Sequence, residues 1–299
     1  MRISHRFVFA LLAALLGCLP LSAQTPRVYL KLDGDLSDSA VAGIITTITP
    51  NGFAPTYTTD RNGVANGALV LPGSASLELI AAALPTNSNE ALGLRSAGVG
   101  VPFTLSAWVY ANSLTAVSGY NMIFGNAGSG AGTLHAGLFN NRAHFGFDSN
   151  DANGIAAVLD QVKWYHVAFV YDGTSQRIFI NGVPEVTRVA TNTLKAANLL
   201  VGNWGTVTSN VNDLIGRLDD VSVFNTALSI GQIQALARGV SPNSLPATYS
   251  APRLTGPLGS PGFWGVREIK NYPGITYSSL VNADKVVHVT SDRPPITDE

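Results

Sequence analysis

The chain has 299 residues, 46% of them hydrophobic and 12% charged, with 30 Gly and 16 Pro. That mix is too apolar for disorder and suits a turn-rich β protein better than a helical one. The formal charge is −1, and without residues 1–23, which hold Arg2 and Arg6, 16 basic residues face 19 acidic ones; with no basic run in the sequence, binding to a nucleic-acid backbone has little support.

The chain opens with an export pattern. Arg2 and Arg6 precede the apolar run Phe7 to Leu16, and Pro20-Leu-Ser-Ala23 supplies small residues before Gln24. Cleavage after Ala23 is expected, giving a signal peptide over residues 1–23, although Leu21 is bulkier than ideal there. The competing pattern is the lipobox-like Leu15-Leu-Gly-Cys18, with lipid anchoring through Cys18. It ranks second because Leu16 is large for its position and apolar residues follow the cysteine. The apolar run is too short for a transmembrane segment. The expected location is extracellular or in the cell envelope. Cys18 is the only cysteine, so an intrachain disulfide is excluded, and after cleavage at Ala23 no thiol remains for catalysis or a cysteine–zinc site.

Beyond the leader, Arg27 to Leu32 alternates as a strand and ends at Asp33-Gly-Asp35. Residues 36–68 read as long loops with short strands, followed by strands at Ala68 to Leu71 and Ser76 to Leu79. Phe103 to Tyr110 is a strong strand, with Phe103, Leu105, Ala107 and Val109 on one face and Trp108 and Tyr110 on the other. Met122 to Phe124 and Leu134 to Phe139 continue the meander. Asn140-Asn141 is a tight-turn signal leading into Ala143 to Phe147, which sets His135 and His144 diagonally on one face.

Trp164 to Tyr171 and Gln176 to Ile180 read as a pair of strands joined at Asp172-Gly173 and closed by Asn181-Gly182. Both faces of Trp164 to Tyr171 are apolar, which predicts an interior strand of a two-layer structure. Leu199 to Val201 and Gly216 to Phe224 complete the strands. One short helix follows, with Ser229 and Gln232 forming a capping box, Leu228 and Ile233 a staple, and Gly239 and Pro242 the stop; its expected duty is to cover an open end of the sandwich. The fold class is all-β, a two-sheet antiparallel jelly-roll sandwich over residues 24–240 with one short C-terminal helix. Residues 241–261 read as a Pro/Gly/Ser-rich linker, and residues 262–299 as a tail or an incomplete second module.

Six segments in this order resemble the laminin G-like, concanavalin A-like jelly rolls of secreted proteins. They are Phe103-Thr-Leu-Ser-Ala-Trp-Val109, Trp164-Tyr-His-Val-Ala-Phe-Val-Tyr-Asp-Gly173, Ile178-Phe-Ile-Asn-Gly182, Val201-Gly-Asn203, Gly216-Arg-Leu-Asp-Asp-Val221 and Asn225-Thr-Ala-Leu-Ser229. The resemblance covers residues 27–239. It implies two curved sheets, one concave, and a binding or accessory role toward carbohydrate or protein ligands; many relatives also hold calcium.

Enzymes share that fold, but the hydrolase pattern Glu-x-Asp-x-x-Glu is absent, and the sandwich region holds only Glu78, Glu90 and Glu185. Asp219 and Asp220 are adjacent, so on a regular strand they point to opposite faces and form no catalytic pair. The reading is a non-catalytic module that binds carbohydrate, with protein adhesion as the alternative and a divergent polysaccharide-degrading enzyme third. Asp33, Asp35 and Asp38 crowd one loop, and the resemblance implies that Asp33 and Asp219 meet around a structural Ca²⁺. For a sugar, the best pair is Asn203-Trp204 in a Gly-rich loop, with Tyr120, Asn126, His135 and Arg142 as further contacts. Trp108 and Trp164 are assigned to the core and His166 to the sheet. His135 and His144, lacking a third ligand in the sequence, read as packed or hydrogen-bonded.

Overall fold

A computed structural model describes residues 24–247, except 82–86, 97–98, 115–118, 129, 148–149, 156–158, 192 and 206–210. The expected signal peptide and C-terminal tail, and most of the expected linker, lie outside the described residues.

The strands run in chain order β1 (Val28–Leu30), β2 (Ile45–Asn51), β3 (Thr56–Thr58), β4 (Ala68–Pro72), β5 (Ser76–Ala81), β6 (Arg95–Ser96), β7 (Val99–Gly100), β8 (Phe103–Ser113) and β9 (Tyr120–Asn126). They continue as β10 (His135–Phe139), β11 (Arg142–Gly146), β12 (Ala152–Asn153), β13 (Trp164–Tyr171), β14 (Ser175–Ile180), β15 (Val183–Val189), β16 (Leu199–Val201) and β17 (Ile215–Phe224). One sheet has the order β15-β14-β13-β8-β17-β4-β3, with β1 also paired to β17; the second has the order β12-β11-β10-β9-β16-β5-β2. The pairings within both sheets are antiparallel, as a jelly-roll sandwich requires.

The core lies between the two sheets. From the first sheet it takes Phe103, Leu105, Ala107 and Val109 of β8 and Tyr165, Val167, Phe169 and Tyr171 of β13. From the second it takes Leu77 and Leu79, Phe124, Ala136, Leu138 and Phe145. Aromatic rings bridge the layers: Phe169 meets Phe124 at 6.4 Å and Phe145 at 5.7 Å between centroids, and Phe103 meets Phe145 edge-on at 6.1 Å. Strand β13 sits between β14 and β8, the interior place its two apolar faces predict.

Four features depart from the sequence reading. Asn181 (φ 51) and Gly182 (φ 79) close one hairpin and also open the next, into β15, an edge strand whose Pro184 and Arg188 discourage further pairing. Besides the expected helix, the described residues include a helical turn at Ser88–Ala91 and a 3-10 turn at Pro242–Ser244. The helix Ile230–Ala237, with the capping box of Ser229 and Gln232 in place, packs against β13 instead of closing an end. It buries Ile233 and Leu236, while Ala168, Val170 and Phe179 are buried on the side of their strands turned from the main core. Finally, residues 241–247, expected to begin the linker, are packed: Leu245 is buried, its carbonyl accepts from the Gln24 amide, and Gln232 Nε2 donates to the carbonyls of Pro246 and Ala247.

Candidate functional site

The site is built on the hairpin of β10 and β11. Asn140 (φ 48) and Asn141 (φ 63) both take the left-handed region, which the two-residue turn of a twisted hairpin requires. The register pairs Phe139 with Arg142, Gly137 with His144 and His135 with Gly146. Alternation then sends Ala136, Leu138, Ala143 and Phe145 into the core and leaves His135, Phe139, Arg142 and His144 on the other face. The two imidazoles stack across the diagonal at 5.1 Å and 23°.

Three half-buried rings surround them. Tyr120 of β9 stacks on Phe139 at 4.3 Å and meets His144 edge-on at 5.3 Å. Trp204, in the loop after β16, stacks on His135 at 4.6 Å and meets Tyr120 at 5.6 Å. That approach depends on Gly125, where a Cβ would lie 2.8 Å from Trp204 Cα and collide with the Asn203 carbonyl. Asn203 Oδ1 accepts from the Trp204 amide at 2.6 Å and fixes the loop beside the strand.

Asp151 completes the group from the loop before β12. Its Oδ1 is 2.9 Å from His135 Nε2, and its side chain keeps 29% of its surface exposed. Burial pushes this carboxyl up, but the hydrogen bond and charge of His135, with His144 and Arg188, hold it below the usual carboxylate range. Burial drives His144 down to about 4, so its ring is neutral at physiological pH. His144 Nδ1 lies 2.7 Å from Asn153 Oδ1, whereas its buried Nε2 has no hydrogen-bond partner. Among the described residues, His135, His144 and Asp151 form the group of three that could hold a metal ion, with their ligand atoms within 4.8 Å of one another.

Of the residues expected at a sugar site, the structure brings Trp204, Tyr120 and His135 together. Arg142 shares their sheet face but donates through Nη1 to the Ile155 carbonyl at 2.7 Å. Asn126 and Asn203 are corrected from ligand contacts to framework, because both are fully buried. Asn126 donates to Asn89 Oδ1 and the Asn198 carbonyl and accepts from the Leu134 amide. Asp151, Phe139 and Asn153 were missed; the signal that could have found them is the histidine pair at diagonal hairpin positions followed by a short Asp- and Asn-rich return.

The other sheet corrects two more expectations. Trp108 and Trp164 are half-buried on its outer side, not in the core, with Arg61 4.7 Å over Trp108 and Trp164 5.4 Å from Tyr110. Asp219 and Asp220 do not diverge. A bulge between Asp219 and Ser222, with Asp220 at φ 49, turns both carboxylates onto Arg61. Asp220 also accepts from the Tyr29 hydroxyl at 2.6 Å. Burial and the neighbouring Asp220 charge push Asp219 up to about 7, against the pull of Arg61. The cation that meets Asp219 is thus a guanidinium, while Asp33 is exposed, where burial and the charge of Asp220 raise it.

Comparison with known proteins places this architecture. A family model described as the concanavalin A-like lectin/glucanases superfamily matches residues 86–234. No curated protein matches the sequence. Domain 4 of AbnA, a GH43 extracellular arabinanase from Geobacillus stearothermophilus solved in complex with arabinotriose, superposes with TM-score 0.55 at 20% identity, covering 72% of this chain and 100% of that one. A structure of botulinum neurotoxin type C, reported with cell entry dependent on two ganglioside molecules, gives TM-score 0.52 at 14% identity over 73% of this chain and 51% of that one. The binding domain of Paraclostridial Mosquitocidal Protein 1 gives 0.50 at 12% over 71% and 52%. The chain therefore spans about half the length of these two toxin chains. At such identities the structural likeness speaks for fold alone, and together with the family match it identifies the sandwich as a laminin G-like domain of the concanavalin A-like lectin/glucanase superfamily.

Proposed function

We propose that the protein is an exported, non-catalytic carbohydrate-binding module whose ligand face is formed by Tyr120, Phe139, Trp204 and Asp151. The observation that carries this reading is the convergence of three half-buried rings and one partly exposed carboxylate on a single sheet face. Aromatic rings offer flat apolar surface to the C–H faces of a pyranose or furanose, and a carboxylate accepts from its hydroxyls. Arabinotriose in the AbnA domain and gangliosides in the toxin give the same class of ligand to proteins of similar fold.

Catalysis finds no support at this face. Retaining glycoside cleavage needs two carboxyls about 5–5.5 Å apart, and Asp151 is the single carboxylate of the cluster. The one close pair noted above, Asp219 and Asp220, sits in the other sheet with both members held by Arg61. The export leader supports a location outside the cytoplasm, and no helix among the described residues is long and apolar enough to cross a membrane.

A glycan array probed with the purified protein and with Trp204→Ala tests the reading. Saturable binding to a defined set of glycans, lost in Trp204→Ala at unchanged secondary structure, is expected. A blank array with folded wild-type protein overturns it and turns the account toward adhesion to protein partners.

A further inference from the structure

We propose that His135, His144 and Asp151 bind a divalent first-row transition metal of the zinc class. The hydrogen bonds around the two rings carry the argument. His135 Nδ1 lies 2.9 Å from the Thr133 carbonyl, which can only accept, so Nδ1 carries the hydrogen. In the neutral ring Nε2 is then a lone pair, and it faces a carboxylate oxygen at 2.9 Å, itself an acceptor. Two acceptors at that distance need a cation between them, either a proton or a metal.

His144 separates these two cases. Its Nδ1 is engaged by Asn153 Oδ1 at 2.7 Å, which makes Nε2 the bare lone pair. The residue is 1% exposed and that nitrogen has no hydrogen-bond partner. A proton on His135 satisfies the contact with Asp151 and leaves His144 Nε2 orphaned. A shared metal satisfies all three groups. Each imidazole then has the support that metal-bound histidines commonly show, its other nitrogen donating to an oxygen, here the Thr133 carbonyl and the Asn153 amide. The stacked Trp204 and the edge of Tyr120 hold the ring planes.

Gly146 is the second, independent observation. A Cβ there would collide with Asp151 Oδ1 and lie 2.5 Å from His135 Nε2. No left-handed φ demands glycine at this strand position, so its missing side chain is explained by the room this group occupies. The ligand atoms lie within 4.8 Å of one another, with His135 Nε2 and Asp151 Oδ1 already 2.9 Å apart, whereas tetrahedral ligands at bonds of about 2.0–2.1 Å stand roughly 3.3 Å apart, so the three groups rearrange by on the order of 1 Å on binding. Two imidazoles and one carboxylate suit zinc, nickel, copper or iron, and not calcium, which takes oxygen ligands. Three protein ligands leave a fourth coordination position open.

The test is independent of sugar binding. Chelator-stripped, untagged full-length protein is titrated with zinc chloride by calorimetry, alongside Asp151→Asn and His144→Gln, with circular dichroism confirming the fold of each. One equivalent binding at micromolar or tighter affinity, weakened at least tenfold in both variants, supports the site. Zinc uptake equal in wild type and variants, or absent in wild type, overturns it. Cobalt provides a second readout: wild type is expected to show a visible ligand-field band that Asp151→Asn loses, and its absence in wild type counts against the site.

Discussion

Lowering the pH from 7 to 4.5 should destabilise the sandwich through His166, a residue with no part in the proposed ligand face. This imidazole lies on the outer side of β13, 1% exposed, with Nε2 2.9 Å from Ser106 Oγ and its ring 5.4 Å from Trp108. Burial, and then the charge of Arg61, drive its pKa from 6.5 to about 3. The sign follows from linkage. The folded state keeps the ring neutral while the unfolded chain takes up a proton below pH 6.5, so stability is full above that value and declines as pH falls toward the folded pKa. Over the stated interval the loss attributable to this one residue is about 2–3 kcal/mol. Urea unfolding at pH 7 and 4.5 on wild type and His166→Gln measures it. The variant is less stable at pH 7 through its disturbed contact with Ser106, but the gap between the two proteins narrows by that amount at pH 4.5. A gap independent of pH would refute the reasoning.

Arg61→Ala removes the only guanidinium shown on two largely buried carboxylates, Asp219 and Asp220, and should cost about 3–5 kcal/mol in chemical denaturation at pH 7.5. With Arg61 in that place, millimolar calcium is expected to leave the melting temperature of the wild type unchanged; a rise of several degrees would restore an ion at Asp33 and Asp219. Gly146→Ala forces Asp151 away from His135, so about 1–3 kcal/mol of stability goes with overpacking, and calorimetry should find zinc binding weakened at least tenfold. Phe169→Ala opens the aromatic contact between the sheets and should lower unfolding free energy by about 3–5 kcal/mol.

The fold was legible because strand alternation and turn residues report directly on backbone geometry. The Asn140-Asn141 turn set the register that puts His135 and His144 on one face, and that relation could be read from ten residues of sequence. Tertiary context overrode the rest. Trp108 and Trp164 look like core from their type, yet alternation opposite Ala107, Val109, Tyr165 and Val167 sends them outward, where Arg61 and Tyr110 cover them. The Asp219-Asp220 pair escaped because a bulge breaks the period of two on which the opposite-face argument depends. Asn126 and Asn203 carry amides that a sugar could use, but amides buried beside irregular backbone serve its unpaired groups first. Asp151 was invisible because its partner His135 lies 16 residues earlier, across the hairpin, and meets it only when the return loop folds over Gly146.

The central claim, that sugar is bound on the face of Tyr120 and Trp204 and not on the opposite sheet, is tested most directly by one titration. The tightest glycan from the array is titrated by calorimetry into wild type, Tyr120→Ala and Trp164→Ala, each corrected for its folded fraction. The account predicts at least a tenfold loss of affinity, about 1.4 kcal/mol, in Tyr120→Ala and none in Trp164→Ala. Loss in Trp164→Ala with full affinity in Tyr120→Ala would contradict it and move the ligand to the other sheet.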